Sequence, residues 1–307
     1  MHIILGAGGP VANALTKELA KANEKVRLVS RKPIPTSGNT TWQRADLLND
    51  TEVFLAVKEA SVIYLCAGLK YDTKIWAAQW PVIIKNAINA AKQTGARLIF
   101  FDNVYMYGLV KGKMTEETPY HPSSVKGEIR AKVATTLMDE VKAGNIRASI
   151  LRGADFYGAE SMNSFFDSSV LAKFAKKQSA QWLGNPKTLH AFTYVPDAGR
   201  ALFLLGQNPQ SDNQIWHTPT APALTGKQFI ELAAKVFQTQ PKFSTINKFM
   251  LRLAGIFDGL TRGMVEMFYQ YDHDYVFDSS KFEQFFGVKP TSYETGIQEL
   301  KDTLFKA

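Results

Sequence analysis

The sequence predicts an α/β protein with a doubly wound parallel sheet and a smaller, mostly helical C-terminal part. Through the first two hundred residues, short β-branched runs alternate with longer amphipathic segments, which is the pattern of βαβ units. This alternation stops after residue 158, where helical and irregular segments follow. With 307 residues, 45% hydrophobic and 21% charged, the chain is long enough to bury a core without disulfide or metal support.

The strands and helices of the first part follow from this alternation. Strands are predicted in the β-branched or apolar runs His2–Leu5, Val26–Ser30, Thr41–Ala45, Val62–Cys66, Arg97–Phe101 and Ala148–Leu151. Helices are predicted between them over Val11–Ala22, Thr51–Lys58, Thr73–Thr94 and Lys126–Lys142. Pro10 suits a first helical position, and Gly95 and Gly144 suit helix C-termini. Asn49 and Glu52 predict a capping box.

The elements after residue 158 are shorter and less regular. A helical stretch rich in Phe and Lys is predicted over 159–186, and a strand over Thr188–Val195. Helices are predicted over Ala198–Leu205 and Phe229–Phe237. Capping boxes are predicted at Thr225 with Gln228 and at Ser280 with Glu283. The C-terminal part is therefore expected to cover the sheet as a helical cap.

The chain is basic, with 36 Lys and Arg against 28 Asp and Glu and a formal net charge of +8. The basic residues are scattered singly or in short groups such as Lys173, Lys176 and Lys177, and no nucleic-acid recognition motif accompanies them. We therefore expect no nucleic-acid partner. The excess of basic residues is explained by solvated helix faces, together with affinity of the protein for a phosphorylated cofactor.

The composition also disfavours membrane, secreted and metal-binding classes. No stretch approaches the ~20 apolar residues of a membrane-spanning helix, and no secretory signal pattern precedes the strand at His2. The single cysteine, Cys66, excludes an internal disulfide and a Cys-cluster metal site. The five histidines show no ligand spacing. We expect a cytoplasmic protein with no membrane partner and no bound metal.

A glycine-rich turn joins the first strand to the first helix. Gly6 permits a tight turn, while Gly8 and Gly9 let the backbone approach a pyrophosphate, which then lies at the helix N-terminus. The small Ala12 allows close packing of helix on strand. The pattern predicts a dinucleotide-binding site whose residues from this turn are Gly6, Gly8, Gly9, Pro10 and Val11.

The end of the second strand indicates which dinucleotide binds. An acid at this position accepts from the ribose 2′-hydroxyl of NAD, whereas arginine suits the 2′-phosphate of NADP. This sequence has Ser30 followed by Arg31. We therefore predict NADP, with Arg31 as the discriminating residue and NAD as the alternative.

Together these segments resemble the extended short-chain dehydrogenase/reductase superfamily, of the NAD-dependent epimerase/dehydratase type. Besides the glycine turn, the motifs that carry the resemblance are Asp46-Leu47, Leu65-Cys66-Ala67-Gly68, Tyr107-Gly108, Leu151-Arg152, Tyr157-Gly158 and Tyr194-Val195-Pro196-Asp197. The resemblance implies an NAD(P)-binding Rossmann fold. It also implies that Asp46 and Leu47 contact adenine and that Cys66, Ala67 and Gly68 line the cofactor.

The family's catalytic pattern is altered in this chain. The family uses a Ser or Thr after strand five and a Tyr-x-x-x-Lys on the next helix. The matching positions hold Asn103 in place of the hydroxyl residue, Lys126 in place of the tyrosine and Arg130 in place of the lysine. The resemblance implies that Asn103 donates to a substrate carbonyl, that Lys126 is the acid/base and that Arg130 contacts the ribose. Tyr105 is a further catalytic candidate, and Tyr107 and Tyr120 are nearby phenols.

The resemblance implies an NAD(P)-dependent oxidoreductase or epimerase-like enzyme with an atypical active site. Its substrate would be a small carbonyl, hydroxyl or sugar-type molecule. We expect a dinucleotide-binding domain over 1–158, to which 188–206 return, and a substrate-binding cap over 159–307. The alternative is a catalytically silent NADP-binding redox sensor. A homodimer through helices Thr73–Thr94 and Lys126–Lys142 is also implied.

An aromatic group in the C-terminal part allows two interpretations. Its members either line a substrate pocket or pack in a helical core, and they are Phe165, Phe166, Trp182, Phe268, Tyr269 and Tyr271.

Overall fold

A computed structural model describes residues 1–158 and 164–305. The strands, in chain order, are β1 (His2–Leu5), β2 (Val26–Ser30), β3 (Thr40–Arg44), β4 (Val62–Leu65), β5 (Arg97–Asp102), β6 (Lys113–Met114), β7 (Ala148–Arg152), β8 (Asp155–Tyr157), β9 (Ala180–Leu183), β10 (Leu189–His190), β11 (Phe192–Tyr194), β12 (Ile215–His217), β13 (Leu224–Thr225), β14 (Phe243–Ile246) and β15 (Val276–Phe277).

The helices alternate with the strands in the first part and dominate the last. In chain order they are α1 (Pro10–Lys21), α2 (Asp50–Val57), α3 (Thr73–Thr94), α4 (Val125–Lys142), α5 (Ala172–Ala175), α6 (Val195–Gln207), α7 (Gly226–Phe237), α8 (Lys248–Phe257), α9 (Gly259–Val265), α10 (Tyr269–Asp272), α11 (Ser280–Phe286) and α12 (Tyr293–Leu304). Short 3₁₀ turns cover Tyr105–Tyr107 and Pro209–Ser211, and a π-helix covers Asp167–Leu171.

A seven-stranded sheet in the order β12-β7-β5-β4-β1-β2-β3 forms the centre of the molecule. Every neighbouring pair in it is parallel. The order reverses direction at β1, which is the topological switch point of a doubly wound sheet. The prediction of a doubly wound parallel sheet is confirmed.

Helices cover both faces of this sheet, because its central strands are apolar on both sides. On one face, α2, α3 and α4 bury a core that includes Val53, Ile84 and Leu137. On the other face, α1 and α6 bury a core that includes Leu15 and Leu202. A Cβ built on Gly199 of α6 would lie 2.5 Å from the Cβ of Ala14, so the glycine allows α6 to approach α1 closely.

The C-terminal part has its own aromatic core. Helices α7 and α12 enclose it with the segments around β9 and β11. Phe166 stacks on Phe192 with ring centroids 4.9 Å apart, and Trp182 stacks on Phe229 at 6.0 Å. No helix among the described residues is long and apolar enough to cross a bilayer.

Two predicted elements differ from the structure, and one strand of the central sheet was not predicted. The strand expected over Thr188–Val195 is divided into β10 and β11, which pair with different partners. The stretch 159–186, expected to be helical, lies partly outside the described residues and ends in strand β9. Strand β12 was not predicted, since three residues carry too little pattern to identify a strand. It forms an edge of the sheet although it lies in the range expected for the cap.

The capping predictions had mixed outcomes. Thr225 and Gln228 form the expected capping box. The box at Ser280 is wrong, because Ser280 is already helical and the preceding Ser279 donates to Glu283 instead. Asn49 accepts from the backbone N–H of Glu52, but the Glu52 carboxylate accepts from the backbone of Asp46 and not from that of Asn49.

Candidate functional site

The glycine turn between β1 and α1 has the geometry that a dinucleotide cradle needs. Gly6 and Gly8 have φ of 80° and 96°, in the left-handed region that favours glycine. A Cβ on Gly6 would lie 2.5 Å from the Cα of Ala67, so the turn packs directly on the loop after β4. The space beside Gly9 is open, with no atom of the described residues within 4 Å of an added Cβ. Pro10 then begins α1 at its first position.

A groove of about 680 Å³ lies at the carboxyl ends of β1 to β4. We call it the nucleotide groove. Predicted cofactor residues that line it are Gly6, Gly9, Arg31, Asp46, Leu47, Ala67 and Gly68. The structure therefore brings together residues from four separate loops, as the strand-end positions predicted.

Arg31 and Asp46, two charged residues that line the nucleotide groove, differ in their hydrogen bonds. The Arg31 side chain is exposed and has no polar partner within the described part of the chain. The Asp46 carboxylate accepts from the backbone N–H of Leu48 at 3.0 Å, which holds the loop after β3. Arg31 is thus free to meet an anion, whereas Asp46 is partly used by its own loop.

Five predicted cofactor residues do not line the nucleotide groove, namely Gly8, Pro10, Val11, Cys66 and Arg130. Pro10 and Val11 line a second cavity, and Arg130 is paired with Asp102. Gly8 lies in the turn, where an added Cβ would lie 3.1 Å from the side chain of Ile34. Cys66 packs against the core between the sheet and α1. Burial raises the pKa of the Cys66 thiol to about 12, so the thiol is uncharged at neutral pH.

A second cavity, of about 350 Å³, adjoins the glycine turn on its other side. We call it the inner cavity. Its lining residues are Pro10, Val11, Tyr71, Tyr105, Asp155, Phe156, Gly158, Ser164, Phe165, Asp167, Leu183, Phe192, Val195, Met264, Met267, Gln270 and Tyr271. Gly9 lines the nucleotide groove and the next residue, Pro10, lines the inner cavity, so the two spaces lie on either side of the start of α1.

The phenols of Tyr71 and Tyr105 form one wall of the inner cavity. Their oxygens are 3.4 Å apart, and the ring of Tyr105 stacks on Trp76. Burial raises the pKa of both phenols, and in Tyr105 the nearby Asp155 raises it further. Both side chains therefore remain protonated at neutral pH and can donate hydrogen bonds.

Asn103 holds the turn that presents Tyr105. Its side-chain oxygen accepts from the backbone N–H of Tyr105 at 3.1 Å, which is an Asx turn at the start of the 3₁₀ helix. Asn103 itself is not among the residues that line the inner cavity.

The carboxylate of Asp155 also lines the inner cavity, and the buried His190, which does not line it, contacts that carboxylate. Oδ2 of Asp155 accepts from the hydroxyl of Tyr271 at 2.6 Å and lies 3.1 Å from Nε2 of His190. Nδ1 of His190 lies 3.2 Å from the backbone oxygen of Gln270. The His190 ring is buried and stacks between Tyr271 and Tyr275, with centroids 4.6 and 4.7 Å away.

A second carboxyl group, that of Asp167, lies in the π-helix after the residues 159–163. Its Oδ2 accepts from the backbone N–H of Gly158 at 3.0 Å, and its Oδ1 is buried without a partner within the described residues. Burial raises the pKa of Asp167 to about 7. This carboxyl group is therefore close to half-protonated at neutral pH.

Lys126 is fully buried and its ammonium group is saturated with acceptors. It donates to the carboxylate of Glu266, to Oγ1 of Thr73 at 3.1 Å and to the backbone oxygen of Gly263 at 3.2 Å. It also lies 4.5 Å from the centre of the Tyr71 ring. In this arrangement Lys126 fastens α9 to α3 and α4, and it is not among the residues that line the inner cavity.

Arg130 is held in the same way, one helical turn further on. Its Nε donates to Oδ1 of Asp102 at 2.6 Å and its Nη2 donates to the same oxygen. The guanidinium stacks on Trp80 at 4.1 Å from the ring centre. The side chains of Arg130 and Asp102 are 3% and 0% exposed, so this is a buried ion pair.

Of the predicted catalytic residues, the structure places Tyr105 in the inner cavity and Asn103, Lys126 and Arg130 around it. The prediction did not include Asp155, His190 or Tyr71. Asp155 was detectable in principle, since it follows strand β7 between two of the motifs that carry the family resemblance. The aromatic group divides: Phe165 and Tyr271 line the inner cavity, whereas Phe166, Trp182 and Phe268 are core residues.

A wholly parallel sheet in this strand order, with a glycine turn opening the first helix, defines a Rossmann-type dinucleotide-binding protein. The model of the NAD dependent epimerase/dehydratase family matches residues 2–217, and the chain belongs to this family. The resemblance seen in the sequence is thus confirmed.

Solved structures share this fold over nearly the whole chain. MoeE5, in complex with UDP-glucose and NAD, is 20% identical with a TM-score of 0.78, covering 99% of each chain. The UDP-glucose 4-epimerase of Thermus thermophilus, in complex with NAD, is 17% identical with a TM-score of 0.74, covering 97% of each chain. DesIV, the dTDP-glucose 4,6-dehydratase of Streptomyces venezuelae, is 13% identical with a TM-score of 0.77, covering 99% of this chain and 98% of its own. No curated protein matches the sequence.

Proposed function

We propose that the protein is an NADP-dependent oxidoreductase whose substrate, a small molecule with a carbonyl or hydroxyl group, binds in the inner cavity. The observation that carries this proposal is that neighbouring residues at the start of α1, Gly9 and Pro10, line the nucleotide groove and the inner cavity respectively. A ligand that lies along the open backbone at Gly9 would have one end in each space. Ligands of doubly wound sheets bind at this crevice beyond the strand ends.

The residues present fit a dinucleotide. The open space at Gly9 leaves room for a pyrophosphate next to the N-terminus of α1. Asp46, Leu47, Ala67 and Gly68 are the residues that would hold the adenosine half. When bound, a nicotinamide dinucleotide supplies two-electron redox chemistry at the carbon that becomes the carbonyl.

The choice of NADP rests on Arg31. Its exposed guanidinium has no competing carboxylate partner among the described residues, and it lines the nucleotide groove. A free arginine favours a 2′-phosphate through charge-assisted hydrogen bonds. The structures of MoeE5 and the Thermus thermophilus epimerase hold NAD, which keeps NAD as the alternative cofactor.

The protein's own residues would orient the substrate. Tyr71 and Tyr105 remain protonated, so they would donate hydrogen bonds to a carbonyl oxygen and stabilise the negative charge that develops there. We propose that Lys126 and Arg130 stabilise the elements that surround the site, through their ion pairs with Glu266 and Asp102. Direct proton transfer by Lys126 would require its pair with Glu266 to open.

Cofactor titration and turnover test the proposal. NADPH and NADH are titrated into the wild-type protein, and oxidation of NADPH is then followed with a panel of carbonyl compounds. We expect tighter binding of NADPH and turnover of at least one carbonyl. Absence of binding by either dinucleotide would contradict the proposal.

A second candidate function is a catalytically silent NADP sensor. It is favoured by one observation: Asn103, Lys126 and Arg130, which occupy the family's catalytic positions, do not line the inner cavity. A sensor would bind NADPH without turnover and would capture a protein partner only in one redox state of the cofactor.

The domain division and the homodimer are proposals as well. Sedimentation of the full chain would measure its mass in solution, and substitution of Val82, an exposed apolar residue on α3, by Glu would weaken a dimer formed through α3 and α4.

A further inference from the structure

We propose that Asp155 is the catalytic acid/base of the inner cavity, that His190 positions it, and that the part of the substrate held there is uncharged or cationic. This inference rests on the proposed function and deepens it. It follows from the contacts of the two Asp155 oxygens, from the proton count at His190 and from the charge of the cavity wall.

The two oxygens of Asp155 have different environments. Oδ2 accepts from Tyr271 at 2.6 Å and contacts His190 at 3.1 Å, so it is held in place from the protein side. Oδ1 has no hydrogen-bond partner within the described residues. It is also absent from the set of fully buried polar atoms that lack a partner, so it is not enclosed by protein. Because Asp155 lines the inner cavity with its side chain 17% exposed, Oδ1 is the oxygen available to a ligand.

The contacts of His190 require one proton between its ring and Asp155. The backbone oxygen of Gln270 can only accept, so Nδ1 of His190 must donate to it. Nε2 then faces Oδ2 of Asp155, and two lone pairs would meet unless one of these atoms carries a proton. The pair therefore holds a proton next to the cavity, and His190 fixes the orientation of the carboxylate.

The other groups in the cavity wall are poor bases. Burial raises the pKa of Tyr71, Tyr105 and Tyr271, so these phenols keep their protons at neutral pH. Lys126 and Arg130 do not line the cavity. Asp167 also lines the cavity, but its Oδ1 is buried and its Oδ2 accepts from the backbone N–H of Gly158, so it presents no free oxygen to a ligand. Asp155 is therefore the group that can take a proton from a bound hydroxyl, while the phenols donate to the same oxygen.

The oxidation of an alcohol balances in protons and electrons when the cofactor is a nicotinamide dinucleotide. In the oxidation of an alcohol, the O–H bond breaks and its proton goes to Oδ1 of Asp155. The adjacent C–H bond breaks and its hydrogen leaves with both electrons to the oxidised nicotinamide, so that a carbonyl group forms. In the reverse direction Asp155 returns the proton to the carbonyl oxygen.

The charge of the wall selects the substrate. Besides phenols, Asp155 and Asp167 are the ionisable side chains among the described residues that line the cavity, and no Lys or Arg is among them. Apolar contacts come from Phe165, Leu183 and Met264. A phosphate or carboxylate in this cavity would face carboxyl groups and no Lys or Arg among the described lining residues, so an uncharged or cationic group with an apolar body fits best.

The test compares Asp155→Asn with the control Glu231→Gln, an exposed carboxylate on α7. The NADPH dissociation constant is measured first, and we expect it to change less than about 3-fold in both variants, a difference below ~1 kcal/mol. Turnover is then measured on neutral, cationic and anionic alcohols and carbonyls. We expect Asp155→Asn to lower kcat about 10²–10⁴-fold, the range of a lost acid/base, and the control to leave it unchanged. If the wild-type protein does not bind NADPH, the proposed function itself is contradicted.

Two further readouts separate a catalytic from a structural role. In Tyr271→Phe, Oδ2 loses one donor while the ring that stacks on His190 is kept, so the acidic limb of the pH–kcat profile should move to higher pH. Nitrogen-15 NMR of the His190 ring needs no substrate, and its Nε2 signal should change in Asp155→Asn. An unchanged Nε2 signal, near-normal kcat in Asp155→Asn, or preference for anionic substrates would overturn the inference.

Discussion

The nucleotide groove and the inner cavity lie on either side of the glycine turn, and they are built in opposite ways. The groove is lined by small and aliphatic residues together with two cations, Arg31 and Lys32, and one carboxylate, Asp46. The cavity is walled by aromatic rings and carries two carboxyl groups, Asp155 and Asp167. The first environment favours phosphates and the second disfavours them, so the charge of the wall separates cofactor binding from substrate chemistry.

The largest expected effect on cofactor binding is on the groove side, in Gly9→Val. Gly9 has φ of −81°, which an L side chain adopts without strain, so the chain should still fold. The valine side chain would fill the open space that a pyrophosphate needs. We expect NADPH affinity to fall at least roughly 100-fold, about 3 kcal/mol.

Calorimetric titration measures this change. Gly259→Val is the matched control, because that glycine also has open space around it and lies outside the nucleotide groove. Normal NADPH binding by Gly9→Val would show that the turn is structural only, and the two spaces would then not share a ligand.

The next effect concerns the two ion pairs behind the cavity. Arg130→Met leaves Asp102 buried and uncompensated, so we expect a loss of about 3–5 kcal/mol in the free energy of unfolding. Lys126→Met should cost less, about 1–3 kcal/mol, since the Glu266 side chain is 25% exposed and can regain water. Urea denaturation measures both losses.

Turnover by Lys126→Met tests whether Lys126 has a structural role while Asp155 transfers the proton. If Lys126 fastens α9 and does not transfer protons, kcat should remain within roughly 10-fold of wild type at temperatures where the variant is folded. Complete loss of kcat with an intact fold and intact NADPH binding would return the acid/base role to Lys126.

Arg31→Ala tests the cation of the nucleotide groove. A charge-assisted hydrogen bond to phosphate contributes ~1.5–3 kcal/mol, so NADPH affinity should fall roughly 10–150-fold while NADH affinity stays unchanged. Lys187→Ala, an exposed cation outside the groove, is the control. Equal affinities of the wild type for both dinucleotides would mean that Arg31 does not select NADP.

Asp167→Asn tests the carboxyl group of the inner cavity through pH. The pKa of Asp167 is raised to about 7 by burial, whereas an aspartate in the unfolded chain titrates near ~3.9. Between these two values the folded state binds more protons than the unfolded state, so wild-type stability falls as pH rises.

The amide variant lacks this pH-dependent loss. Relative to wild type, Asp167→Asn should therefore gain roughly 2.5 kcal/mol between about pH 5 and pH 8, because one pKa unit corresponds to ~1.36 kcal/mol and the folded pKa lies about two units above pH 5. Urea denaturation at both pH values measures the gain. Parallel behaviour of the two proteins would place Asp167 in a more solvated environment than its burial indicates.

The two sides of the turn also differ in how far the sequence predicts them. The nucleotide groove depends on residues that lie in short loops after successive strands, such as Gly6, Arg31 and Asp46. Their positions follow from strand alternation alone, because the carboxyl ends of parallel strands meet at one edge. Most of the sheet was predictable for the same reason.

The inner cavity depends on contacts between distant segments. Asp155 meets His190 and Tyr271, 35 and 116 residues away along the chain, and Lys126 meets Glu266 across 140 residues. Alignment with the family pattern identified Lys126 and Arg130 by position. It gave no information on the carboxylates that neutralise them, since Asp102 comes from the end of β5 and Glu266 directly follows α9.

A crystal structure with NADPH bound tests the central claim most directly, through the distances from the nicotinamide C4 atom. We expect the pyrophosphate beside Gly9, the nicotinamide in the inner cavity between Tyr105 and Asp155, and Lys126 still paired with Glu266. A nicotinamide outside the inner cavity, or a Lys126 ammonium released from Glu266 and directed at C4, would contradict the account.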